Sequence, residues 1–128
     1  MPEKKKILIV EDNTETQLII KVSVRDIYDA TVVSRAEEAL ESIKNNDYSL
    51  VLLDINLGGE MDGRIVLEKI RGELNKPDLP VIIITAYDLP DKDKSFLMSL
   101  TCDYLEKPIS KDVLLSTIGK CLRRTGNS

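Results

Sequence analysis

The chain has 128 residues, with 22 acidic against 18 basic side chains, two cysteines and no histidine. Without an imidazole it cannot by itself form a Ser/His or Cys/His nucleophile pair, a histidine-ligated zinc site or a phosphohistidine. A net charge of -4 also gives no basic footprint for direct nucleic-acid binding. We therefore expect the chemistry of this chain to use carboxylates, hydroxyls and amines.

The length and composition are those of one soluble domain. A chain of this size buries roughly two thirds of its unfolded surface, and its apolar runs are far shorter than the roughly 20 residues that cross a bilayer. We therefore expect a single domain over residues 1–128, with a core from about residue 5 to 124 and no membrane insertion. Cys102 and Cys121 lack metal-site spacing, and no signal peptide is evident, so we expect a cytoplasmic protein with reduced cysteines.

Five apolar runs predict β-strands. The first, third and fourth are β-branched or leucine-rich without alternation, which is typical of central parallel strands covered by helices on both faces. The second and fifth are more polar, as expected nearer the edges of a sheet. In chain order the runs are 7–10, 30–33, 50–53, 81–84 and 103–105.

Each strand is followed by apolar residues spaced three or four apart, a pattern that predicts five helices. In chain order the stripes are Ile20, Val24 and Ile27; Ala36, Ala39, Leu40 and Ile43; Val66, Ile70 and Leu74; Phe96, Leu97 and Leu100; and Leu114, Ile118, Cys121 and Leu122. Ser34 and Glu37 stand three residues apart before the second stripe, and they predict a capping box there.

Strict alternation of strands and helices predicts an α/β fold with a parallel sheet and helices on both faces. Right-handed crossovers leave few topologies, and the flavodoxin-like, doubly wound (βα)5 order 2-1-3-4-5 is the natural one for five strands. In such a fold, ligands bind at the carboxyl ends of the strands, beside the switch point between the first and third strands.

Reactive side chains follow the strands at that edge. Glu11 and Asp12 follow the first strand, Asp54 the third, Thr85 the fourth and Lys107 the fifth. Three crowded carboxylates repel one another and favour a bound hard cation such as Mg²⁺, whereas a lysine and a hydroxyl suit phosphate oxygens. The pattern predicts phosphoryl transfer to Asp54 as the nucleophile, with Glu11 and Asp12 as metal ligands.

Each of these residues also has a simpler structural interpretation. Acidic residues after a strand are common helix caps, which fits Glu11 and Asp12. Asp54 also fits a turn, Thr85 the end of a strand and Lys107 an ordinary loop. The combination at four separate strand ends favours a functional site.

The chain resembles the receiver domains of two-component response regulators over nearly its whole length. The matching motifs are ILIVEDN at 7–13, VLLDINL at 51–57, MDG at 61–63, IITAY at 83–87 and DYLEKP at 103–108. Each motif is modest alone, but together, in this order and spacing, they are specific.

The resemblance implies a phosphorylation-dependent signalling switch that catalyses only its own phosphorylation and dephosphorylation. It implies that Asp54 is the phosphoacceptor, that Lys107 contacts the phosphoryl group, and that Mg²⁺ or Mn²⁺ is the cofactor. The metal ligands would be Glu11, Asp12, Asp54 and the backbone carbonyl of Asn56. The phosphoryl donor would be a phosphohistidine on a sensor histidine kinase or a histidine phosphotransfer protein.

The resemblance further implies a cis Lys107-Pro108 bond. Thr85 and Tyr104 would move together on phosphorylation, which remodels the surface of the fourth helix, fifth strand and fifth helix. Asn56 and Tyr87 would tune the lifetime of the phosphoryl group. The downstream target is open, as are homodimerisation through that surface and the choice between a stand-alone protein and part of a larger regulator.

Two features depart from the family pattern. One extra residue and two glycines, Gly58 and Gly59, lie between Asp54 and the Asp62-Gly63 pair, so we expect a more mobile loop there. In addition, residues 100–102 lack the glycine that often precedes the fifth strand. The fourth helix must therefore end on another kind of cap.

Three other functions fit the residues less well. A flavin- or nucleotide-binding protein of this fold needs amides and hydroxyls in the turn after the first strand, where Glu11 and Asp12 would repel phosphate. An aspartyl-phosphate hydrolase would carry two aspartates separated by one residue at that place. A degenerate receiver used only for binding is disfavoured because Asp54, Thr85 and Lys107 are all present.

Overall fold

Five strands and five helices alternate in the computed structural model, which describes residues 4–55, 63–86 and 91–124, without the side chains of residues 91–94 and 96. The strands are β1 (Lys6–Val10), β2 (Asp29–Val33), β3 (Leu50–Asp54), β4 (Val81–Thr85) and β5 (Asp103–Glu106). The helices are α1 (Thr14–Val24), α2 (Ala36–Asn45), α3 (Gly63–Arg71), α4 (Asp91–Leu100) and α5 (Lys111–Arg124). No helix within the described ranges is long and apolar enough for a membrane crossing.

The strands form one parallel sheet in the order β2-β1-β3-β4-β5, which confirms the predicted flavodoxin-like topology. The register pairs Val10 of β1 with Leu53 of β3. It also pairs Thr85 of β4 with Glu106 of β5. All five strands therefore deliver their following residues to the same edge of the sheet.

Two apolar layers cover the sheet. Leu8, Val10 and their neighbours on β3 and β4 pack against α2, α3 and α4, whereas Ile7 and Ile9 face α1 and α5. Every residue of β3 and β4 is buried, but β2 and β5 are partly exposed. Burial on both faces explains why the central strands have no polar alternation.

Two helix predictions are wrong in detail. Ile27 lies beyond the end of α1 and is 51% exposed, because the helix stops at Val24. The predicted capping box is absent because α2 has Arg35 as its N-cap, without a side-chain capping bond. Ser34 therefore lies outside the helix and donates to Glu38 Oε1 at 3.5 Å. The predicted burial of Phe96 lies outside the described side chains.

The end of α4 is held by side chains in place of the missing glycine. Arg71 of α3 donates from Nε and Nη2 to the carbonyl of Leu100, at 3.0 and 2.7 Å. Its Nη1 donates to the carbonyls of Lys76 and Leu79, in the segment before β4, at 2.8 and 2.6 Å. Thr101 Oγ1 donates at 2.9 Å to the α4 carbonyl one turn earlier. One guanidinium thus joins the ends of α3 and α4.

The prediction that both cysteines are reduced is wrong in this structure. Cys102, directly before β5, and Cys121, on α5, form a disulfide with their Cα atoms 5.9 Å apart. Their separation of 19 residues does not reveal this proximity, which arises because α5 runs back alongside β5. Cys121 is fully buried in the apolar layer under α5, where the helical stripe predicts it.

We predict that Arg71→Met lowers the free energy of unfolding by about 2 kcal/mol, because it leaves three partly buried carbonyls without their donor. Urea unfolding measures the change. Arg25→Met, which alters an exposed arginine after α1, is the matched control and should cost less than about 0.5 kcal/mol. Equal stability of the two variants would show that this guanidinium does not hold α3 and α4 together.

Candidate functional site

Glu11 and Asp54 lie next to each other because each follows a residue of the paired strands β1 and β3. The backbone around both positions is anchored to neighbouring strands: the Glu11 N–H donates to Val33 O, and the Ile55 N–H donates to Ile84 O, both at 3.0 Å. Both carboxylate side chains are buried. The sheet therefore brings two acidic groups together out of solvent.

Asp12 completes a cluster of three carboxylates. One oxygen from each of Glu11, Asp12 and Asp54 lies within 4.8 Å of the other two, and only Asp12 is exposed. Such an arrangement is costly for three negative charges unless cations lie among them. The predicted crowding of these three residues is therefore present in the structure.

Lys107 brings a positive charge into the cluster from the end of β5. Its Nζ lies 2.6 Å from Glu11 Oε1 and 3.2 Å from Asp54 Oδ2. Its backbone N–H donates to Thr85 O at 2.8 Å, and the Lys107-Pro108 peptide bond is cis. The lysine thus contacts both buried carboxylates and is tied through its backbone to the end of β4.

Burial and mutual repulsion change the titration of this cluster. Burial raises the pKa of Glu11 from 4.5 to about 7, and its interactions with Asp54 act in the same direction. Burial alone would lower the pKa of Lys107, but the close ion pair with Glu11 and the charge of Asp54 outweigh it and raise that pKa above 10.5. The lysine is therefore charged at neutral pH, where Glu11 titrates.

The residues of this cluster fit a divalent cation with hard oxygen ligands. Glu11 Oε1 is buried and forms the ion pair with Lys107, but it accepts no hydrogen bond from the described residues. A buried oxygen of this kind, close to two other carboxylates, is suited to coordinate Mg²⁺ or Mn²⁺. Asp12 is the exposed member of the cluster, so its carboxylate also faces solvent.

Asn13 and Gln17 hold Glu11 in place, and the sequence analysis did not identify either residue. Asn13 is the N-cap of α1, where its Oδ1 accepts from the Thr16 N–H at 2.8 Å. Its own N–H donates to Glu11 Oε2 at 3.2 Å, and Gln17 Nε2 donates to Glu11 O. The side chain that caps α1 is therefore that of Asn13, and helix capping does not explain why an acidic residue stands at position 11. An asparagine directly before a helix is the available sequence signal.

Gly63, the first residue of α3, packs against the backbone of the strand end that carries Asp54. A Cβ at this position would lie 2.6 Å from Ile55 Cα and would also collide with Asp54 O. The Gly63 N–H donates to Ile55 O at 3.1 Å. This close approach explains why a glycine stands in the MDG motif: any side chain would displace α3 or Asp54.

The remaining predicted site residues differ in how far the structure describes them. Thr85 is fully buried at the end of β4, and Tyr104 is half-buried on β5, opposite Ile83 of β4. Asn56 and Tyr87 lie outside the described residues, as does the predicted mobile loop with Gly58 and Gly59. The structure therefore brings Glu11, Asp12, Asp54 and Lys107 together and places Thr85 at the same edge of the sheet.

We predict that Glu11→Gln removes a pH dependence of stability in the metal-free protein. The raised folded-state pKa means that the stability contributed by protonated Glu11 is fully present below 4.5 and is lost as the pH rises through about 7. The native chain should therefore lose about 1–3 kcal/mol more than the variant between about pH 5 and pH 8, measured by urea unfolding with a chelator. Glu15→Gln, at an exposed position of α1, should keep the native dependence. If the free energy of unfolding changed with pH in the same way for the native chain and Glu11→Gln, the raised pKa of Glu11 would be contradicted.

We predict that Gly63→Ala destabilises the protein by about 1–3 kcal/mol, because the new methyl group meets strand backbone that cannot rotate away. Gly119→Ala on α5 is the matched control. There the methyl group would lie 3.3 Å from the flexible Arg123 side chain, so a helix-propensity gain of about 0.5–1 kcal/mol is expected. Urea unfolding tests both changes, and equal effects would show that the approach of α3 to β3 is not restrictive.

Comparison with known proteins identifies the family. The model of the response regulator receiver domain matches residues 7–119. The chain is 32% identical to the sensor protein GacS of Pseudomonas syringae pv. syringae over 126 residues, and this match covers 92% of this chain and 14% of GacS. It is 34% identical to the transcriptional regulatory protein ZraR of Escherichia coli (strain K12) over 120 residues, and this match covers 93% of this chain and 26% of ZraR.

A solved structure agrees with these matches. The CheY-like response regulator receiver domain protein of Methanospirillum hungatei JF-1 superposes with a TM-score of 0.86 at 29% identity, covering 97% of this chain and 98% of that chain. The present chain spans only 14% and 26% of the two curated relatives, so the likeness concerns only part of each. Since the family model covers most of its length, the chain belongs to the response regulator receiver domain family.

Proposed function

We propose that this receiver domain accepts a phosphoryl group on Asp54 from a phosphohistidine of a sensor histidine kinase or a histidine phosphotransfer protein. The observation that carries the proposal is the buried ion-pair cluster, in which Lys107 Nζ lies 3.2 Å from Asp54 Oδ2, and Glu11 and Asp12 lie beside that carboxylate. The chain contains no histidine, so the donor imidazole belongs to the partner.

The transfer is a displacement at phosphorus. An Asp54 carboxylate oxygen attacks the phosphorus atom, the new O–P bond forms as the P–N bond to imidazole breaks, and the imidazole leaves and takes up a proton. Such reactions depend on positioning and charge neutralisation more than on covalent assistance. Mg²⁺, held by Glu11, Asp12, Asp54 and the carbonyl of Asn56, would neutralise charge on the phosphoryl oxygens.

Lys107 has a second role in this proposal. Before transfer it balances the charge of Glu11 and Asp54. Once Asp54 has become an acyl phosphate, the same ammonium group can contact a phosphoryl oxygen, because it already lies within reach of the acceptor carboxylate. The raised pKa of Lys107 keeps it charged for both contacts.

The surface of α1 supports docking of a donor protein near Asp54. This helix begins directly after the acidic cluster, at Thr14. It exposes three apolar side chains within five residues, namely Leu18, Ile19 and Val22, which are 63%, 42% and 43% exposed. An exposed apolar stripe beside a reactive site is typical of a protein-binding surface. We assign it to the phosphohistidine-bearing partner.

The output is a change in partner affinity at the surface of α4, β5 and α5. Thr85 lies at the end of β4, and its carbonyl accepts from the N–H of Lys107, so a shift at the phosphoryl group reaches β5 through this residue pair. Tyr104 on β5 is the second moving side chain, and Asn56 and Tyr87 set the lifetime of the phosphoryl group.

We further propose that residues 1–128 act as one cytoplasmic domain. The domain works as a switch and does not turn over a separate substrate.

We predict that incubation with acetyl phosphate and Mg²⁺ adds one phosphoryl group to the native chain, seen by intact-mass spectrometry. Asp54→Asn should show no adduct, because the amide is a poor nucleophile, and omission of Mg²⁺ should abolish most of the signal. Asp26→Asn, at an exposed position after α1, is the matched control and should react like the native chain. An equal adduct on Asp54→Asn, or none on the folded native chain, would contradict the assignment.

A further inference from the structure

The disulfide lies where α4, β5 and α5 meet, a junction that the proposed phosphoryl chemistry does not explain. Cys102 follows α4 and precedes β5, and its N–H donates to Val81 O at 2.9 Å. Both cysteines line an open groove of about 1040 Å³, together with Arg71 and Arg124. A small molecule in this groove can therefore approach the disulfide.

The two sulfur atoms lie in different environments. Cys121 is fully buried among apolar residues of the layer under α5, whereas Cys102 is partly exposed. Arg124 Nη1 lies 4.0 Å from Cys102 Sγ. A neighbouring guanidinium stabilises a thiolate, and apolar burial disfavours one, so Cys102 is the more reactive cysteine in the reduced protein.

Polar contacts join the same elements as the disulfide. Lys120 of α5, the neighbour of Cys121, forms an ion pair with Asp103 Oδ2 of β5 at 2.5 Å. This pair is half-exposed, and such pairs contribute little to stability. The disulfide is therefore the covalent connection between the last turns of α5 and the start of β5, and its reduction leaves this ion pair and the apolar layer under α5 to hold them together.

We propose that Cys102 and Cys121 form a reversible thiol–disulfide exchange site for low-molecular-weight disulfides, and that oxidation restrains α5 against β5. The Cys102 thiolate attacks one sulfur of the small disulfide, forms a mixed disulfide and releases one thiol. Cys121 then loses its proton and attacks Cys102 Sγ, which releases the second thiol and closes the protein disulfide. Two cysteine thiols are oxidised, and one small disulfide is reduced to two thiols that carry the two protons.

A redox titration tests the exchange in the folded chain. The protein is equilibrated with mixtures of reduced and oxidised glutathione, the free thiols are alkylated, and the intact mass is measured. We expect a reversible change from two free thiols to none across the series. A disulfide that resists reduction until denaturant is added, or cysteines that stay free in oxidised glutathione, would overturn the proposal.

Single variants test the assigned order of attack. With oxidised glutathione, Cys121→Ser should accumulate a mixed disulfide on Cys102 about tenfold faster than Cys102→Ser does on Cys121, because a buried thiol is poorly accessible and weakly ionised. In the Cys121→Ser background, Arg124→Gln should slow the reaction, whereas Arg123→Gln, one position earlier and exposed, should not. Faster reaction at Cys121, or equal rates for the two arginine variants, would contradict this mechanism.

The restraint on α5 has a separate test, and its effect on signalling rests on the proposed function. Amide hydrogen exchange of α5 should be faster in reduced protein and in Cys102→Ser/Cys121→Ser than in oxidised protein, and equal exchange would overturn the restraint. With acetyl phosphate and Mg²⁺, the chemical shifts of α5 should then change less in oxidised than in reduced protein. Absence of an adduct on Asp54 in both states would contradict the proposed function and leave the glutathione result as the test of the exchange site.

Discussion

The parallel register of β1 and β3 is the constraint on which the candidate site depends. Because Val10 pairs with Leu53, the following residues Glu11 and Asp54 must lie side by side, whatever their mutual repulsion. Both strands are held from both faces by apolar layers, so neither can shift to separate the charges. The site therefore consists of groups that would not cluster in solution, and the packing of the sheet supplies the free energy that holds them together.

Lys107 balances part of that charge, and a bound cation would balance the rest. The side chain of Lys107 contacts both buried carboxylates from the end of β5. Its backbone N–H donates to the Thr85 carbonyl, so the residue that balances the charge is also bonded to the neighbouring strand β4. A phosphoryl group on Asp54 would change the negative charge that the same ammonium group has to balance. This connection would give a physical route from Asp54 to the end of β4 and to β5, without a long chain of contacts.

The opposite ends of β4 and β5 are held in a different way. There Arg71 binds the last carbonyl of α4, and the disulfide joins the start of β5 to α5. In the proposed function, movements that begin at Asp54 would therefore meet two positions that side-chain bonds hold in place. The proposed exchange site would make one of those points adjustable, so that redox state and phosphorylation would act on the same elements from opposite ends.

The sequence by itself determined the fold class, because apolar runs without alternation and helical stripes depend on local periodicity alone. The alternation of strands and helices with right-handed crossovers then predicted the strand order, and with it the acidic edge. The order of strand ends was enough to group Glu11, Asp12, Asp54 and Lys107, since parallel strands share one carboxyl edge. Local patterns failed at Ile27, three residues beyond the end of α1, and at the capping box of Ser34, one residue before the N-cap of α2.

Only the tertiary structure decided the contacts that do not follow from the order of the strand ends. The disulfide joins residues whose spacing carries no signal, and the contact of Arg71 with Leu100 spans 29 positions. The close approach of Gly63 to Asp54 likewise depends on how α3 packs against β3. Periodicity reports on neighbours along the chain, whereas these contacts depend on where whole elements pack, and that information becomes available only when the complete fold is known.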